Sequence, residues 1–476
     1  MPSAATPALA YDPANQRFLM AYEGYIPPRV QGQLLDAEGN WVGSSFFISS
    51  RSFTVCCDDI KITYDSVNRR FLVVWMEMGW IWGQLVNADG TLFGANLAIS
   101  FMGSSPSAAY DPVSQSFLVI WTERGFFSED IRGRRVGADG SWIGFEILID
   151  VGPGVQRAPQ IGYDSANQRF LVAYDDGDQI SGRLVGADGS LVGEKFQIAT
   201  SRENLDRMVV AYDAAHRRFL VVWSAIYEYV VWGQLVNADG TLFLGKLRIS
   251  TTALAAWPSV AAAYDSARQR FLVVWWVPDF DSRKRGYYGQ QVNADGTLFL
   301  DREFLVSITA LPDETYAPAI AYDTANQRFL MAWETRNYET TFTDIYGLLL
   351  AGLPLKPLAS LTLNAESFRP GDPLNLDVRV LTPPHASPLG NWSFEAAAWL
   401  ETPLEAPADL FSLLHIGGPG HQVTLPPGSE RIFPLLHLSV LPPVPAGSYR
   451  FGIRLNHTIT REQLSRDEAP FEVISP

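Results

Sequence analysis

Apolar and polar positions alternate in short bursts along most of this chain, and the bursts recur. The run "RFLVVW" stands at 70–75, 218–223 and 270–275. In its first copy Phe71, Val73 and Trp75 project to one side and Leu72 and Val74 to the other, as successive strand residues do. Both faces are apolar, so the strand is expected to lie between two packed neighbours. Its aromatic and β-branched residues suit a pleated surface. Before it comes a short run ending in Tyr-Asp, such as "PSVAAAYD" (258–265), and a four- or five-residue turn. After it, beyond a gap of variable length, come "GQLVNADGTLF" (83–93, 233–243) and a last apolar run such as "FFIS", "LAIS" or "LRIS".

The Tyr-Asp pair recurs at Tyr11-Asp12, Tyr64-Asp65, Tyr110-Asp111, Tyr163-Asp164, Tyr212-Asp213, Tyr264-Asp265 and Tyr322-Asp323, at intervals of 53, 46, 53, 49, 52 and 58 residues. Seven units of four antiparallel strands predict an all-β, seven-bladed β-propeller. The Ala-rich first strand belongs at the crowded inner rim. "NADG" reads as a tight hairpin whose Gly takes a positive φ. "YDPANQR" reads as a longer hairpin whose Asp bonds its own backbone. "AYDPANQRFLMAYE" (10–23) and "AYDTANQRFLMAWE" (321–334) mark blades 1 and 7, which should meet where the ring closes.

The seventh unit stops at "DIYGLLLAG" (344–352), without the hairpin and fourth strand. Three outcomes are open: a three-stranded blade, irregular completion by 353–358, or a strand supplied from upstream of the first repeat. Beyond the linker 353–358, "ASLTLNAESFRPGDPLNLDVRVLT", "WSFEAAAWLE", "RIFPLLHLSV" and "AGSYRFGIRLN" alternate between Pro/Gly turns. They predict a β-sandwich over 359–476.

The pattern YDxxNxRFLVVW…GQLVNADG over 7–352 resembles the repeats of about fifty residues in bacterial secreted and cell-surface propeller proteins. "FRPGD" and "PAGSYRF" are similar to pieces of the immunoglobulin-like modules of such proteins. The resemblance implies an exported binding or structural protein. It implies no activity. No basic start or apolar stretch at the N-terminus reads as a signal peptide.

A net charge of −15 opposes binding to nucleic acid or anionic membrane, and no apolar run is long enough for a helical span. Only His216 of the six histidines falls in the propeller, where it replaces a turn Asn. None has ligand spacing. The repeated Asp residues read as frame elements rather than catalysts, and the NADG turns carry too few carboxylates for calcium. No cofactor or metal is expected. The adjacent Cys56 and Cys57 read as two reduced thiols in a packed loop, with a strained vicinal disulfide or a contribution to soft-metal binding as the alternatives.

Strands alternate in direction, so the stereotyped "YDxxNxR" and "NADG" turns share one end of the ring. The variable gap loops share the other, the end that in repeat arrays carries binding. Candidate binding residues there are Tyr25, Trp80, Trp82, Phe126, Phe127, Tyr227, Tyr229, Trp232, Tyr287, Tyr288, Tyr338 and Phe342. Aromatics at this density suit a protein interface. The primary expectation is a non-enzymatic extracellular binding or scaffold protein with a protein partner. The alternatives are glycan binding by the same rings, or a glycosidase or lyase using acids such as Glu77, Glu123, Asp176, Asp279, Asp281 and Glu334.

Overall fold

The computed structural model describes residues 7–25, 28–51, 58–125, 128–200, 205–225, 230–250, 259–277, 286–299, 303–307, 314–315, 318–336 and 343–351 of the first unit. In the second it describes 358–363, 365, 367–369, 372–381, 392–402, 405–409, 422–425, 430–438, 447–457 and 463–473. The chain divides into two units, Met1–Ala351 and Gly352–Pro476. The linker residues 353–357, Cys56 and Cys57 lie outside the described residues.

The first unit is a seven-bladed β-propeller. Blade 2 shows the plan: Asp58–Asp65, Arg70–Glu77, Trp80–Asn87 and Leu92–Ser100 form one antiparallel sheet in chain order. Blades 1 and 3 to 6 repeat it. Inner strands of successive blades lie side by side, and that of blade 7 (Ala319–Asp323) lies against that of blade 1 (Ala8–Asp12). The ring therefore closes where the matching sequences 10–23 and 321–334 stand.

Packing follows the two-faced second strand. Phe71, Val73 and Trp75 enter a core shared with Leu19, Ala21 and Ile48 of blade 1. Leu72 and Val74 enter another, with Phe117, Val119 and Trp121 of blade 3. Each blade is thus glued to both neighbours by apolar burial. The ring seam has the same construction, with Phe18 and Met20 against Leu330 and Ala332.

Blade 7 departs from the plan. Its strands Ala319–Asp323, Arg328–Arg336 and Thr343–Ala351 form the blade, with the two-residue Glu314–Thr315 extending the inner position. Among the described residues no fourth strand pairs with Thr343–Ala351.

In the second unit, Leu358–Leu363, Leu374–Leu381 and Glu430–Leu438 form a three-stranded antiparallel sheet. A second sheet runs Ser367–Phe368, Gln463–Val473, Gly447–His457, Trp392–Thr402 and Glu405–Asp409, and Gln422–Leu425 also pairs with Trp392–Thr402. Its first pair is parallel and the others are antiparallel.

Candidate binding surface

The two ends of the ring are built differently. At the turn end, each Tyr-Asp carboxylate is consumed by structure. Asp12 accepts the Ala14 N–H (2.9 Å) and the Asn15 side-chain amide (2.7 Å). The same second bond comes from Asn68, Ser114, Asn167, His216, Arg268 and Asn326 in the other blades. His216 does the work of a turn Asn, at 2.8 Å from Asp213.

Tyrosines stitch the blades. The Tyr64 hydroxyl donates to Asp12 of the preceding blade (2.5 Å) and Tyr322 to Asp265 (2.6 Å). Tyr163 donates to Asp111 and Tyr212 to Asp164. Tyr11, Tyr110 and Tyr264 stand beside Asp323, Asp65 and Asp213. Burial, and then the neighbouring carboxylate, raise all seven phenols above the ordinary tyrosine range. Burial opposes ionisation of Asp111 and Asp323, but hydrogen bonds from Ser114 and Tyr163 to the first, and the adjacent Tyr11 hydroxyl with hydrogen bonds from Asn326 to the second, outweigh it and hold both carboxyls below their usual range. Arginines add a further stitch. Arg218 lies over Phe243 (3.4 Å) and donates to the Ala294 carbonyl of the next blade (2.8 Å). Arg328 closes the ring on the Ala37 carbonyl.

The NADG turns are likewise self-contained. Asp89 accepts the Thr91 N–H (2.9 Å) and hydroxyl (2.6 Å), and Gly90 takes φ +87°. Four more turns share this bond pair, from Ser141, Ser190, Thr241 and Thr297.

The gap-loop end carries one-off chemistry. Trp80 stacks on Trp82 (5.7 Å between ring centroids, 9° between planes) and meets Phe101 edge-on at 4.9 Å. The loops that carry these rings are tied by the Gly103 N–H donating to the Gly79 carbonyl (2.6 Å). Around them Met78 is 72% exposed, Met102 58%, Phe101 56% and Trp80 39%. Met78 holds φ +50° in the tight turn before Trp80, followed by Gly79 at +82°. Such a turn favours Asn, Asp or Gly at that place. An exposed methionine there serves neither the turn nor the core.

Other gap-loop acids are engaged. In blade 3, Arg132 bonds Glu146 (2.7 Å) and Glu123 (3.2 Å), and Arg134 also reaches Glu146 (3.2 Å). Burial raises the Glu123 carboxyl despite Arg132. In blade 4, Asp176 accepts from Gln179, Ser181, Gln156 and Lys195. These bonds outweigh burial and lower its pKa. Burial raises Glu77, opposed by Arg51. Glu334 is fully buried. A channel of about 390 Å³ on the ring axis holds Lys61 beside an Arg207–Asp59 ion pair (3.7 Å).

The structure sorts the expected aromatic residues. Trp80 is exposed and central to the patch. Trp82, Trp232 and Tyr288 are partly buried flanks of blade cores, and Lys246 covers Trp232 at 3.8 Å. Tyr287 is a correction. It is fully buried, between Trp276 and Trp333, because its strand position points into the core shared by blades 6 and 7. Phe126, Phe127, Tyr227, Tyr229, Tyr338, Phe342, Asp279, Asp281 and the Tyr25 side chain lie outside the described residues. Met78, Phe101 and Met102 were not anticipated. The available signal was "EMGW" beside "FMG", two short loops with apolar residues where turn residues belong.

The fold defines the chain as an all-β propeller protein. No protein-family model matches it. No curated protein matches it either. Among solved structures it is similar to hydrazine synthase of Kuenenia stuttgartiensis, at 10% identity over 72% of this chain and 95% of that one, with a TM-score of 0.48. It is also similar to the Dos1 propeller, at 11% identity over 74% and 93% (TM-score 0.42). A protein from Lactobacillus plantarum aligns at 11% identity over 74% and 97% (TM-score 0.42). Likenesses this distant carry no argument about activity.

Proposed function

We propose that this protein is a non-catalytic, exported recognition or scaffold module that engages a protein partner through the gap-loop end of its propeller. The observation that carries the reading is the exposed patch of Met78, Trp80, Phe101 and Met102. Aromatic residues and Met are enriched in interface cores, and Met adapts its shape to a partner. Large apolar side chains gathered on an exposed surface mark interaction sites. We read the second unit as an immunoglobulin-like sandwich, consistent with a modular extracellular protein.

Photo-crosslinking tests the reading. A benzophenone residue in place of Met78 should capture one discrete protein in the native cell envelope. The same probe in place of Val113, exposed on the turn end, should not. Equal capture at both positions, or none at Met78, overturns the proposal. Retention on a glycan array that Trp80→Ala abolishes would transfer the patch to carbohydrate binding.

A further inference from the structure

The inner strands wall the channel on the ring axis, and the repeat marks which of their residues break its pattern. Three residues before the tyrosine of each Tyr-Asp pair, six blades carry a neutral side chain: Ala8, Ser107, Gln160, Val209, Ala261 and Ala319. Blade 2 carries Lys61. Five residues before the tyrosine, the neutral set is Thr6, Ser105, Ala158, Ser259 and Ala317. There blade 2 carries Asp59 and blade 5 carries Arg207. In a chain dominated by equivalent joints, these three charges occur once each.

The fold brings them into one cavity. Blades 2 and 5 lie on opposite sides of the ring, so the Arg207–Asp59 pair (3.7 Å) bridges the channel. Lys61 lines the same channel, two residues along the inner strand from Asp59. Both strands are bulged at this point. Pairing shifts register between Asp58 and Lys61 and between Leu205 and Met208, and Asp59 takes φ +57°. Bulges of this kind re-aim side chains. At 3.7 Å the pair makes no hydrogen bond. Among the described residues, neither Arg207, Asp59 nor Lys61 has a side-chain hydrogen-bond partner, and the Gln160 amide on the same wall has none either. Burial lowers the Lys61 pKa, which Asp59 opposes and Arg207 reinforces. Two cations thus face one carboxylate, in a chain whose net charge is −15. The rest of the wall is mainly apolar, with Leu9, Ile62, Val209, Ala262 and Ile320. A volume of about 390 Å³ is that of a small-molecule site.

We propose that the channel is a binding site for an organic monocarboxylate, held by Lys61 and Arg207 at its charged end and by the apolar wall along its body. The single surplus positive charge matches a single carboxylate, whereas a phosphate dianion would leave charge unmatched. The planar arginine fork takes a carboxylate through paired N–H bonds, and lysine adds a compact point charge. Asp59 competes with the ligand for Arg207, so it tunes affinity without supplying it. A free aliphatic acid and the C-terminus of a short apolar peptide offer the same chemistry, and the test separates them. The site lies on the ring axis and is read on the purified chain, so it stands or falls apart from the gap-loop patch and its protein partner.

The probes are sodium hexanoate and the dipeptide acetyl-Ala-Leu with a free C-terminus, each titrated calorimetrically into the full chain. Saturable binding of at least one is expected, and the tighter of the two identifies the source of the carboxylate. Hexanol keeps the body without the charge and inorganic phosphate keeps charge without the body, so each should bind about tenfold more weakly or worse. Lys61→Gln gives blade 2 the residue that blade 4 already carries at this place. It should weaken the carboxylate about tenfold or more, with the melting temperature nearly unchanged. Asp59→Ser copies Ser105, which holds φ +50° at the same place in blade 3. It should tighten binding severalfold by releasing Arg207. The proposal is overturned if neither carboxylate binds, if phosphate or hexanol binds as well as the carboxylate, or if Lys61→Gln leaves affinity unchanged. Unchanged or weaker binding by Asp59→Ser also overturns it, since the ion pair would then be a structural strut and not a competitor.

Discussion

The two ends of the propeller spend similar residues in opposite ways. At the turn end, an Asp at seven equivalent places closes a turn, and at four of these joints the next blade's Tyr donates back to it. At the gap-loop end, Trp80, Phe101, Met78 and Met102 are exposed, and the ring contacts of Trp80 with Trp82 and Phe101 recur in no other blade among the described residues. The difference separates residues that hold the ring from residues free to recognise something outside it. Repetition is the signature of the first kind, because a ring needs equivalent joints. Singularity is the signature of the second.

Alkaline titration should break the comparison most severely. All seven phenols have folded pKa values raised above the unfolded value of about 10. Their contribution to stability is therefore complete below about pH 10 and lost as pH rises through the folded values. Thermal melts across pH 9 to 12 should show propeller stability falling steeply above about pH 10, with part of the tyrosinate absorbance of the 18 tyrosines withheld until unfolding. Ionisation of all 18 tyrosines without loss of structure would show that the Tyr–Asp joints are not structural.

Next in size is Asp111→Ala. It removes a turn cap and leaves the Tyr163 hydroxyl without its acceptor, a loss of about 2–3 kcal/mol read by denaturant unfolding. A smaller loss should follow acidification. Asp111 and Asp323 are depressed in the fold, so their stabilisation is present above about pH 4 and disappears as pH falls through their folded values. Asp111→Ala should flatten part of that acid limb. At the gap-loop end, Trp80→Ala should cost about 1 kcal/mol of folding stability, less than Asp111→Ala, since the ring is partly exposed but stacks on Trp82 and meets Phe101, while crosslinking from position 78 falls away. A large stability cost there would make the patch structural.

Much of the frame was legible because its signals are local. Asp followed three residues later by Asn, or a Gly after Asp, states a hairpin in the chain itself. One local feature still escaped notice: Gln16, Arg69, Gln115, Gln168, Arg217, Gln269 and Gln327 all take left-handed φ values of 48–55° before the second strand. They are not glycines, so composition did not mark them, and the surrounding turn bonds hold them there. The surface was less legible. Trp80 and Tyr287 look alike in sequence, one beside a gap loop and the other just after one. Trp80 faces solvent, whereas Tyr287 is sandwiched by tryptophans of two blades.

What the sequence determined alone is the repeat, its strands, their two apolar faces and the turns that join them, since all follow from backbone preference and side-chain period within a few residues. What only the tertiary structure decided is exposure and encounter: which rings meet water, and that Asp59 and Arg207 face each other across the channel. Both depend on atoms brought near from distant positions in the chain.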